Sequence, residues 1–143
     1  MSGADLHLVT FRLGGQLYGV DIMQVHRVLA APAPIPVPGA PPHVVGMIDL
    51  HGRLVALLDL RCLLGLGAAE PGRRVVVAHR GGQLVGLVVD EVEARVRVGA
   101  EDVLARPEEV GAGAISGAFR AGEAMGLLLD PERLAIDGLE ELG

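Results

Sequence analysis

The segment Gly14-Gly15-Gln16-Leu17-Tyr18-Gly19-Val20 returns as Gly81-Gly82-Gln83-Leu84-Val85-Gly86-Leu87, with five of the seven positions identical. A second echo joins Gly46 and Leu57-Leu58-Asp59 to Gly117 and Leu128-Leu129-Asp130. Both recur about 70 residues later, and self-similarity at a fixed period marks a structural unit built twice. The chain is thereby constrained toward two similar barrels and away from one enclosing cleft. Its 143 residues are one domain's worth of material, able to bury roughly two thirds of the unfolded surface. That core has to be shared between the two units.

Local patterning fills in the elements. Val9 and Phe11 alternate with Thr10 and Arg12 before Gly14-Gly15, and Leu17 to Val20 follow, which is a hairpin pattern. Its echo runs from Val75 to Ala78, through Gly81-Gly82, to Leu84–Val89. After Asp21, a plausible N-cap, Ile22, Val25, Val28 and Leu29 fall at helical spacing and predict two turns of amphipathic helix. Pro32, Pro34, Pro36 and Pro38 then remove backbone donors at every second position, which leaves an extended linker or edge segment. Val44 to Leu60 is apolar except around Asp49-Leu50-His51-Gly52-Arg53 and predicts two buried strands joined by a polar turn. Asp59 caps a short helix over Leu60–Leu64, and Asp130-Pro131 supplies the same start in the second copy, after strands over Ser116–Arg120 and Met125–Leu129. The subdomains are expected at about residues 14–70 and 71–136, with a first strand that can pair with either and a short tail over 137–143. Cys62, alone in the chain, reads as a small core residue.

Composition excludes several classes of function. The net charge is −6 and no basic run occurs, so nothing resembles the clustered positive charge of a nucleic-acid footprint. No apolar run approaches the 18 or so residues needed to span a bilayer, and the N-terminus lacks the pattern of a signal peptide, so a soluble, cytoplasmic protein without membrane insertion is expected. The hydroxyls are Ser2, Thr10, Ser116 and Tyr18, and Ser116 lacks the glycine frame of a nucleophile elbow. Gly65-Leu66-Gly67 begins like a dinucleotide loop but lacks the third glycine. His7, His26, His43, His51 and His79 are scattered without metal-ligand spacing. No catalytic residue, cofactor or metal is predicted.

Taken in order, several motifs resemble the CheW-like domain of bacterial chemotaxis: Phe11-Arg12-Leu13, Tyr18-Gly19-Val20-Asp21-Ile22, Val25-x-x-Val28, Val37-Pro38, and Gly46-Met47-Ile48-Asp49-Leu50-x-Gly52. The match continues through Leu57 to Arg61, Val85 to Val92 and Leu127 to Asp130, and so covers nearly the whole chain. The resemblance implies a mostly β fold of two five-stranded SH3-like barrels packed together, with a few short helices. It also implies a non-catalytic adaptor in receptor arrays. Such an adaptor binds the hairpin tip of a methyl-accepting chemoreceptor near the groove between barrels, and the regulatory domain of a CheA-type histidine kinase through barrel surfaces.

Two departures from the family pattern single out candidate contacts. The usual Asn-Leu-Arg-Gly turn is Asp49-Leu50-His51-Gly52 here, and the usual Val-x-Glu-Ile is Val25-His26-Arg27-Val28. An acid has become a base, and a forked cation has become an imidazole. Many relatives also carry a further helix where only 137–143 remain. Val25 and Val28 are therefore expected as apolar anchors, Arg27 as the charge selector, and Asp49, His51, Gly52 and Arg53 as the second contact, with one of the two interfaces altered or lost. A different class of reading is a small-ligand binder or enzyme in which Tyr18, Asp49 and His51 line a cleft between barrels.

Overall fold

The computed structural model describes residues 4–30, 32–66, 74–105, 113–134 and 136. Strands β1 (Leu6–Leu13) and β2 (Gln16–Asp21) form the first hairpin, and β6 (Arg74–Arg80) and β7 (Gln83–Val89) form its echo. The second echo is likewise a pair of hairpins, β4 (Val44–Leu50) with β5 (Arg53–Asp59) and β10 (Ile115–Ala121) with β11 (Ala124–Leu129). Three edge strands complete the set: β3 (Val25–Ala30), β8 (Glu91–Val98) and β9 (Val103–Ala105). They build a six-stranded sheet ordered β8-β1-β2-β11-β10-β9 and a five-stranded sheet ordered β3-β6-β7-β5-β4.

The two copies are interleaved. The first copy's opening hairpin, β1–β2, joins the second copy's closing hairpin through a parallel β2–β11 pair, and β7–β5 does the converse. The registers match: Gly19 lies opposite Leu128 in one sheet, as Gly86 lies opposite Leu57 in the other. The edges also correspond. β3 pairs with β6 and skips His26, β8 pairs with β1 and skips Glu93, and His26 lies as far beyond Gly19 as Glu93 beyond Gly86. Ile35 bridges Met47 as Ala105 pairs with Ala118. The partition expected at residue 70 is therefore not that of the sheets: one is drawn from residues 25–89 and the other from both sides of them.

Three apolar clusters result. Ile48, Leu50, Val55, Leu57, Val75, Val77 and Leu84 fill one barrel. Leu8, Leu17, Val98 and Phe119 fill the other, where a Cβ on Gly126 would stand 2.2 Å from the Phe119 ring. The largest cluster lies between the barrels and draws Phe11, Tyr18 and Val20 from one sheet and Val76, Val85 and Leu87 from the other. Successive residues Val75, Val76 and Val77 thus alternate between the interior of a barrel and the interface of two, and a strand covered on both faces reads as an unbroken apolar run.

Two local expectations are corrected. Residues 22–29 do not form a two-turn helix: a single 3₁₀ turn, Ile22–Gln24, is capped by Asp21, whose Oδ1 accepts from the Met23 amide at 2.9 Å, and β3 follows at once. The cause is the bulge at His26. One extra residue lets Val25 and Val28 both face the inter-barrel side, opposite Ala78 and Val76, and this spacing of three imitates a helical stripe. Cys62 is exposed, not core. Its helix α1 (Leu60–Leu63) is one turn that buries Leu60, and a residue two positions on faces away. The caps stand as expected, with Asp59 and Asp130 each accepting at 3.0 Å from the amide two residues on, although the second helix is only the 3₁₀ turn Pro131–Arg133. The proline segment is extended, with Ile35 bridged to Met47. The tail at 137–143 lies outside the described residues.

Candidate partner-binding surface

The β4–β5 hairpin is closed by two residues with positive φ, His51 at 52° and Gly52 at 86°, the backbone of a type I′ turn. His51 is the one described non-glycine residue with positive φ, and histidine is among the residues enriched there. Asp49 serves the turn itself: its Oδ1 accepts from the Gly52 amide at 2.7 Å. Asp49, His51, Gly52 and Arg53 are all exposed, as is Leu54, at 64 %.

β3 stands at the opposite end of the same sheet, yet Arg27 Nη1 lies 3.0 Å from His51 Nε2. The five-stranded sheet curls until its first strand meets its last hairpin, so the two departures from the family pattern touch. A guanidinium can only donate, so Nε2 accepts and the imidazole proton sits on Nδ1. Val25 is half-buried against the inter-barrel core, whereas Val28 is 37 % exposed. Of the two expected anchors, Val28 is the accessible one. Leu54 escapes the sequence reading because it looks like one more residue of a buried strand; its pairing with exposed Asp49 gives it away.

The other predicted polar set is not brought together. Tyr18 is buried in the core, its ring stacked on Phe11 with centroids 5.5 Å apart, and burial pushes its phenol up despite the opposing charge of Arg61. Asp49 and His51 are engaged at the exposed hairpin tip instead. A cavity of about 350 Å³ lies elsewhere, lined by Leu6, Leu8, Val103 and Leu128 with Gln24 and Asp130, and the last two satisfy each other at 2.9 Å. Among the described residues no group of three or more His, Cys, Asp or Glu is placed to hold a metal, although His26 and His79 meet edge to face.

One ionic cluster ties distant parts of the framework together. Asp90 Oδ2 accepts from Arg61 Nη2 at 2.9 Å and from the Gly14 amide at 2.8 Å, tying α1 and the β7–β8 link to the β1–β2 turn. Hydrogen bonding from Arg61 is the main cause that holds the Asp90 carboxyl below the usual carboxylate range, against partial desolvation, and it holds the Arg61 guanidinium above its own ordinary value.

Two SH3-like barrels joined over a shared core, with a polar hairpin and an edge strand meeting at one end, define a double β-barrel module. The comparisons with known proteins agree. The model of the CheW-like domain matches residues 7–137. The chain is 31% identical over 139 residues to the chemotaxis protein CheW of Treponema pallidum, covering 91% of this chain and 82% of that protein. It is 30% identical to the probable chemotaxis protein CheW of Rhizobium etli, covering 99% and 90%. The crystal structure of the scaffolding protein TtCheW from Thermoanaerobacter tengcongensis superposes with a TM-score of 0.82 at 25% identity, covering 94% of this chain and 96% of that one. The chain belongs to the CheW-like domain family. Among the described residues no helix is long and apolar enough to cross a membrane.

Proposed function

We propose that this protein is a non-catalytic cytoplasmic adaptor that couples methyl-accepting chemoreceptors to a CheA-type histidine kinase in receptor arrays. Its full-length similarity to proteins named for chemotaxis and scaffolding supports the class. The observation that carries the site is the Arg27–His51 contact. It makes β3 and the β4–β5 hairpin one surface, with Val25 and Val28 along the inter-barrel side and Asp49, Gly52 and Arg53 supporting the turn. On this reading the adaptor is specialised. One partner meets a charge at Arg27 opposite in sign to the usual glutamate, and like charges across an interface select against the former partner. The other interface is kept. Separate calorimetric titrations with a receptor hairpin-tip fragment and with the kinase regulatory domain test this. The expected result is binding to both with unequal affinity, the weaker restored by Arg27→Glu with His51→Arg. Equal, tight binding to both would show that the substitutions are neutral.

A further inference from the structure

We propose that Arg27, His51 and Arg53 form a carboxylate-docking site, and that its occupant is a partner segment presenting an exposed Glu or Asp. The inference rests on the adaptor reading only for the identity of the protein that brings the segment. Among the described residues four other arginines have acids: Arg12 pairs with Glu93, Arg61 with Asp90, Arg97 with Asp5 and Arg133 with Asp130. Among the described residues no carboxylate pairs with Arg27 or Arg53, in a chain with 18 acidic residues against 12 basic ones. The acid on the same hairpin, Asp49, is committed to the Gly52 amide. Arg27 instead spends one N–H on a neutral imidazole acceptor and keeps the rest of its fork for a planar, bidentate ligand. The I′ backbone and the Arg27 contact together fix the position of His51, so the site is largely formed before a ligand arrives. Arg27 lies opposite Val77 and Arg53 opposite Leu50, two residues that face the interior of the same barrel, so both arginines stand on one side of the curled sheet at its exposed end. An acidic side chain meets two cations here, whereas a basic one meets two arginines that no described carboxylate offsets.

The test follows Arg Nε–Hε and imidazole resonances of the full chain by NMR during titration with three capped tripeptides, Leu-Glu-Leu, Leu-Gln-Leu and Leu-Lys-Leu. The Glu peptide is expected to shift Arg27 and His51 saturably. Its affinity should fall severalfold between about 50 and 300 mM salt, as a largely exposed charge contact requires, and about two- to fivefold in Arg27→Gln, the factor that loss of one exposed charge contact produces. The Gln and Lys peptides should leave these signals in place. Equal shifts with all three peptides, or no shift with Glu, overturn the proposal. A parallel titration of wild type and Arg27→Glu with the receptor fragment and the kinase domain separates the two claims. Unchanged partner affinities together with a silent Glu peptide sink this site and leave the adaptor reading standing. A responsive Glu peptide with neither partner binding supports the site and sinks the adaptor reading.

Discussion

Replacing Asp90 with Asn tests the ionic tie between the barrels most cleanly, because the amide oxygen can still accept from Gly14 while the charge facing Arg61 is lost. The pair is neither surface nor core, with 19% of the Arg61 side chain and 32% of the Asp90 side chain exposed. Its worth should fall between that of an exposed pair and a covered charge-assisted bond, about 1–2 kcal/mol. For a domain of this size that corresponds to a melting temperature lower by about 3–8 °C at pH 7. The sign of the pH dependence follows from the depressed carboxyl. Its stabilisation is complete above the unfolded value of about 3.9 and is lost as pH falls through the lower folded value. Thermal unfolding followed by circular dichroism at low salt should show a gap between wild type and Asp90→Asn that is constant from neutral pH to about 5 and closes below about pH 4. A gap of the same size at pH 3 and pH 7, or none at pH 7, refutes the reasoning.

Gly126→Ala should cost about 2–3 kcal/mol, since its Cβ would lie 2.2 Å from the fully buried Phe119 ring, and Phe119→Leu in the same chain should recover part of that loss in chemical denaturation. Gly122→Ala, with φ of 62° and open space around it, should cost only about 1 kcal/mol. Because both sheets take strands from both sides of residue 70, fragments 1–66 and 67–143 should each lack cooperative unfolding alone and regain β structure by circular dichroism when mixed. The single tyrosine, Tyr18, should ionise above the free phenol in a spectrophotometric titration at alkaline pH, because burial disfavours its anion.

The hairpins, the caps at Asp59 and Asp130 and the doubling of the fold can be read from the chain because they are local: Gly pairs between alternating strands, and an acid before a short turn. Which hairpin joins which cannot, since the β2–β11 and β5–β7 pairings are long-range and parallel, and either assortment of two copies with the same hairpin pattern satisfies it. The false helix at 22–29 came from a bulge that turned a period of two into a spacing of three. β8, missed altogether, shows a plain alternation of Glu91, Glu93, Arg95 and Arg97 with Val92, Ala94, Val96 and Val98; its bulge at Glu93 is supported by buried Thr10, whose hydroxyl bonds both the amide and the carbonyl of Ala94. In the sequence Arg27 and His51 stand out separately, each as a departure from a family pattern. Their contact depends on curling of the five-stranded sheet, which no local spacing encodes.

The most direct test of the adaptor account is reconstitution of signalling from three components: membranes bearing the receptor, the histidine kinase, and this protein. The account predicts that kinase autophosphorylation becomes sensitive to receptor ligand only when this protein is present, and that Arg27→Glu alters the degree of coupling. Kinase activity that responds to the receptor equally with and without the protein would contradict it.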